Sequence, residues 1–156
     1  SVSYSGYKEL NENVVGAFKI FGSAITGLDE DVRLSKRLYA SNRRLRGFQS
    51  GKVGPKDNID YVGGNYLTTM NFEATLPNLL PESTKTEIGT FLDFGNVWGV
   101  DYDSSIDDSN KIRSSAGATA SWLSPLGPMT FVFSRNIAKA DTDKTESFKF
   151  QLGTTF

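Results

Sequence analysis

Neither cysteine nor histidine occurs anywhere in the 156 residues. Their absence excludes disulfide stapling, thiolate or imidazole metal sites, and every nucleophilic triad that needs one of them. A dominant charge is missing too. Seventeen basic and 18 acidic residues leave a formal net charge of −1, so no global field recruits nucleic acid. No window approaches the roughly 18–20 apolar residues of a membrane-spanning helix. No basic stretch followed by an apolar one opens the chain as a signal peptide would. A Walker loop and a dinucleotide fingerprint are also absent, so no cofactor is implied.

What is present is aromatic and alternating. Eleven Phe, six Tyr and two Trp accompany 15 Gly in a chain that is only 38% hydrophobic. At the end of the chain Phe148, Phe150, Leu152, Thr154 and Phe156 fall on one face, and Lys149, Gln151, Gly153 and Thr155 on the other. That is period two, the mark of a strand with two unlike faces. The same alternation runs through 65–76, 86–98 and 112–122, and through Met129, Phe131 and Phe133. Further strands are expected at about 13–26 and, less regularly, 2–10. Proline-rich stretches at 76–81 and 124–128 read as turns. Residues 101–110 and 138–145 read as polar loops, and 27–64 is the longest irregular segment.

About seven long antiparallel strands suit two architectures, a soluble sandwich or a transmembrane β-barrel. Strand length favours the barrel, because globular strands are usually about 5–6 residues. So does the placing of Tyr66, Trp98, Tyr102, Trp122 and Phe156 at strand ends, where barrels carry aromatic girdles. The expected fold is therefore all-β, an antiparallel transmembrane β-barrel. An odd strand number does not suit closure of a bacterial single-chain barrel, so either a further strand escapes the pattern or the chain is the C-terminal part of a larger barrel.

Several spaced motifs carry a family resemblance. They are Arg46-Gly47-Phe48 with Gln49-Ser50 and Val53-Gly54-Pro55, then Val62-Gly63-Gly64-Asn65 and Phe72-Glu73. After them come FLDFGNVW at 91–98, Ile112-Arg113, Ser115-Ala116-Gly117, WLSPLGP at 122–128 and FKFQLGTTF at 148–156. In this order they resemble the BamA family of outer-membrane β-barrel assembly proteins. The resemblance implies the last seven strands of a sixteen-strand barrel in the bacterial outer membrane. POTRA domains and the earlier strands lie outside the chain. It also implies a non-enzymatic role in folding and inserting client β-barrel proteins, with outer-membrane lipid and accessory assembly lipoproteins as partners. A polypeptide-secretion transporter of the same superfamily, or an inactive barrel fragment, is the alternative.

Two sites follow. By parity Glu73 opposes Phe72, and Asp93 opposes Leu92 and Phe94, so both carboxylates point into the lumen. The resemblance implies that the loop 27–64 folds into the lumen and that Arg46 pairs with both acids. Read without it, Arg46 is a solvated loop charge, the reading also given to Arg43 and Arg44. Glycoside chemistry on the paired acids is disfavoured, because a nearby arginine keeps both ionised. The acidic residues Asp101, Asp103, Asp107 and Asp108 lack the glycine and final glutamate of an EF-hand and read as a solvated loop. The second site is the terminal strand, Phe148, Phe150, Leu152, Gly153 and Phe156. It resembles the β-signal of outer-membrane barrels and a seam at which client strands pair by β-augmentation. Gly153 is expected to soften pairing there.

Overall fold

Alternation over ten or more residues is satisfied by a pleated strand, which turns successive side chains to opposite faces. The computed structural model describes residues 1–77, 79–100, 111–140 and 143–152. Its strands are β1 (Val2–Asn11), β2 (Val14–Ala24), the two-residue β3 (Lys56–Asp57) and β4 (Asp60–Tyr61), and β5 (Tyr66–Leu76). They continue with β6 (Thr86–Trp98), β7 (Arg113–Ser124), β8 (Gly127–Ala138) and β9 (Phe148–Leu152). Seven of them pair antiparallel in one sheet of order β1-β2-β5-β6-β7-β8-β9. β3 and β4 form a separate ribbon within the long connection from β2 to β5.

The seven strands expected from alternation are those of the main sheet, and the differences lie at their ends. The turn expected over 124–128 is confined to Pro125 and Leu126. Ser124 Oγ accepts from the Leu126 N–H at 3.2 Å and donates to the Gly127 carbonyl at 2.7 Å, which tightens the hairpin. Gly127 takes φ 118, a left-handed value glycine tolerates. Pro128 then lies in β8 opposite Leu123, near a strand start where its missing donor costs least. Gly153 and Phe156, Tyr102 and the acidic residues at 101–110 lie outside the described residues.

Cross-strand partners share a face, so the registers sort the sheet into two. One face carries rows such as Phe18, Phe72, Leu92 and Ala116. It is apolar yet open to its surroundings, with Phe72 at 43% and Phe133 at 53% exposure. A contiguous apolar face of this kind needs a cover, and in a barrel wall the cover is lipid. The opposite face is largely polar, and the long connection packs on it. There Ala40, Leu45, Phe48 and Val53 of the connection meet Leu67 of β5 and Val97 of β6 in the buried core. The core therefore lies between loop and sheet. Among the described residues β1 and β9 are the edges of an open sheet and do not pair with each other.

Candidate functional site

One row of the inner face organises the site. Lys19 pairs with Asn71, Asn71 with Asp93, Asp93 with Ser115, and Ser115 with Asn136, across five adjacent strands. Strand parity makes this row point inward as a whole. Four of its five side chains hold the loop segment 44–47. Asn71 Nδ2 donates to the Arg44 carbonyl at 2.7 Å. Asp93 accepts the backbone N–H of Arg46 at 3.0 Å. Ser115 Oγ donates to the Arg46 carbonyl, and Asn136 Nδ2 to the Gly47 carbonyl at 2.9 Å.

The Arg46 guanidinium is bound more tightly still. Its Nε and Nη2 donate to the two oxygens of Asp93, each at 2.7 Å, a bidentate fork. Nη2 also lies 2.8 Å from Glu73 Oε1. Asn71 Nδ2 donates to Asp93 Oδ1 at 2.8 Å, so the fully buried carboxylate receives four hydrogen bonds. Glu73 keeps a second cation, Lys19, at 3.2 Å on its other oxygen. Arg46 further sits over the Phe91 ring, with Cζ 4.0 Å from its centroid. Burial opposes charge on the guanidinium. The hydrogen bonds and fields of Asp93 and Glu73 outweigh it and hold the group above the ordinary arginine value. A permanently charged fork on two carboxylates can fix geometry and cannot shuttle protons.

The neighbours of Arg46 make this approach possible. Gly47 has φ 89, and a Cβ there would come within 3.0 Å of the Ser115 Cβ. Phe48 is buried in the loop core beside it. Arg46, Glu73 and Asp93, singled out from sequence, are thus brought together, with Gly47 and Phe48 as their support. Arg43 is exposed. Arg44, expected to be a solvated charge, is exposed too and lies over Phe21, Cζ 3.7 Å from the ring centroid. The apolar flat of a guanidinium covers a ring better than water does.

The family model described as the Omp85 superfamily domain matches residues 1–156. The chain belongs to the Omp85 superfamily. The outer membrane protein assembly factor BamA of Neisseria meningitidis serogroup B is 34% identical over 139 residues, which cover 72% of this chain and 17% of that protein. BamA of Neorickettsia risticii is 30% identical over 146 residues, 92% of this chain and 19% of that one. The crystal structure of BamA from Haemophilus ducreyi lacking POTRA domains 1–3 matches with a TM-score of 0.83 at 26% identity, covering 95% of this chain and 33% of that chain. This chain therefore spans less than a fifth of these two curated relatives and a third of the solved structure. Its sheet is that of a bacterial outer-membrane β-barrel.

The Omp85 sheet carries a second ion pair that parity alone did not single out. Arg113, at the start of β7, directs Nε to Asp143 Oδ2 at 2.9 Å and Nη2 to Oδ1 at 3.3 Å, with both side chains buried. Arg113 Nη1 also donates to Asn96 Oδ1 at 2.6 Å and to the Lys111 carbonyl at 2.9 Å. Asp143 accepts the Ala140 N–H at 2.9 Å and that of Gly54, from the long loop, at 3.4 Å. An arginine of inward parity at a strand start was the only sequence signal. Asp143 sits in an aperiodic loop and gave none.

The remaining expected residues are dispersed. In the terminal strand Phe148, Phe150 and Leu152 lie on the outer face, where Phe131 packs on Phe150 at 5.3 Å and Phe133 on Phe148 at 5.2 Å. Tyr66 and Trp98 stack at 5.5 Å at the loop end of the sheet. Trp122 lies at the opposite end, in the register pair with Thr86.

Proposed function

We propose that the chain is the C-terminal barrel portion of an outer-membrane assembly factor, with residues 27–64 as a lumenal loop held by Arg46. In this reading the earlier strands complete a sixteen-strand barrel, and the whole protein folds and inserts other β-barrel proteins. The observation that carries the reading is the fork of Arg46 on Asp93 and Glu73 beneath an otherwise lipid-type sheet. It supports a loop that is a fixture of the barrel rather than a surface appendage. The relatives that share the sheet are themselves named assembly factors, which supports the same role here.

The chemistry of such a role is pairing and exclusion, with no covalent step. A sheet edge presents unsatisfied N–H and C=O groups, and in a membrane those groups find no water. A client strand that adds to the edge satisfies them, so the client's own folding free energy drives the reaction. The terminal strand, with Phe148, Phe150 and Leu152 toward lipid, is the proposed seam. Tyr66, Trp98 and Trp122 anchor the wall at the two interfaces. Accessory lipoproteins and outer-membrane lipid are the proposed partners. The latch keeps the inner row in register while the edge works.

The test is reconstitution of the full-length protein in liposomes with an unfolded client barrel. Faster client insertion than in empty liposomes is the expected result. Steady ion conductance without any acceleration of insertion would instead favour the polypeptide-secretion transporter. The loop core of Leu45, Phe48 and Val53 on the inner face argues against such an open conduit.

A further inference from the structure

The β8–β9 ladder is short. Its register runs from Met129 opposite Leu152 to Phe133 opposite Phe148, and one further bond joins the Ser134 N–H to the Ser147 carbonyl at 2.8 Å. β8 itself continues to Ala138. Continued in the same register, the ladder would set Ile137 opposite Lys144. The chain does something else. Residues 144–146 pair with the long loop, through an antiparallel bridge of Phe48 with Thr145. The Gln49 N–H donates to the Lys144 carbonyl at 3.0 Å, and the Glu146 N–H to the Gly47 carbonyl at 2.9 Å. The loop even takes the side chain of Asn136, which donates to that same Gly47 carbonyl at 2.9 Å. Arg113 and Asp143 clamp the arrangement from the far end, where Asp143 also accepts from Gly54.

We infer that the loop and the terminal strand compete for residues 144–146. With the loop docked, these residues pair with 47–49 and β9 stays short. With the loop withdrawn, they are released to lengthen β9 along β8. The physical reason is geometric: the chain bends at Ser147 to reach the loop, and a segment laid along 47–49 cannot also lie along the end of β8. Two discrete pairings of one segment make a bistable element, which a buried ion pair can bias. The loop latch thereby sets the length of the proposed seam strand. That consequence rests on the assembly reading, whereas the exchange itself does not.

These 156 residues hold no cysteine, so none of their own competes with an introduced pair. In the full-length protein, Ile137→Cys with Lys144→Cys reports the lengthened β9, since both positions are exposed and neither side chain enters either clamp. With the loop docked the pair is expected to cross-link poorly. Adding Asp143→Asn, or separately Arg46→Ala, is expected to raise the yield about tenfold or more by shifting the population. Arg46 matters here because, among the described residues, its side chain bonds only to β5 and β6, so an effect at 144 must travel through the loop. Heat-modifiability on gels confirms that each variant is folded. An equal yield in all folded variants overturns the exchange. A raised yield alongside unchanged client insertion upholds the exchange while removing its link to assembly.

Discussion

Arg46 contributes through where it ends rather than through its charge alone. Its fork leaves Asp93 no exposed surface, so removing the guanidinium strands a buried carboxylate. Breaking such a pair costs roughly 3–5 kcal/mol. Arg46→Ala is therefore expected to lower the unfolding transition of the full-length barrel far more than Arg43→Ala, as read by heat-modifiability on gels. Arg44→Ala should fall between them, since it loses only the stacking on Phe21, worth about 0.5–1 kcal/mol at an exposed site. Arg46→Lys keeps the charge and loses the planar fork, so it should rescue only part of the loss. Equal transitions for the alanine variants at 43 and 46 would remove the latch. The acids and Arg46 were legible from parity and resemblance together. Asn71, Ser115 and Asn136 have the same parity, but which of the inward residues share a row depends on register, which no single strand encodes.

At the scale of elements, the loop is held by its own small core as much as by ions. Phe48 is almost fully buried at its centre. Truncating a core phenylalanine costs about 3–5 kcal/mol, so Phe48→Ala should free the loop even with Arg46 intact. Protease cleavage within 27–64 on intact cells, absent in the parent, is the expected readout. β7 and β8 offer a sharper test of the sheet itself. A Cβ on Gly117 would clash with the Phe133 carbonyl oxygen and lie 2.7 Å from the Phe91 ring. Gly117→Ala is thus expected to disrupt the β7–β8 ladder and the shelf on which Arg46 rests. Normal assembly of that variant, judged by gel mobility, would contradict the packing. The strands themselves were readable because alternation is local. The partner of residues 144–146 was not, because pairing with the loop joins segments about a hundred positions apart with no periodic signal in either.

At the scale of the whole molecule, the two faces of the sheet assign its surroundings. Phe72 lies midway along β5 on the apolar face, between Phe18 and Phe94 at ring distances of 5.0 and 6.3 Å. An arginine on the lipid face near the bilayer midplane costs roughly 2–4 kcal/mol. Phe72→Arg is accordingly expected to lower barrel stability in bilayers, while Thr75→Arg, on the inner face of the same strand, has a much smaller effect. Equal losses at both sites would mean that the apolar face does not meet lipid. The sequence by itself determined the strands, their two faces and the family, because side-chain direction along a strand is local and its period is two. Only the tertiary structure decided which inward residues form one row, where the loop's core sits, and that Arg113 finds Asp143. Those are matters of register and of contacts between distant segments, and they are settled when the strands pair and the loop packs on them.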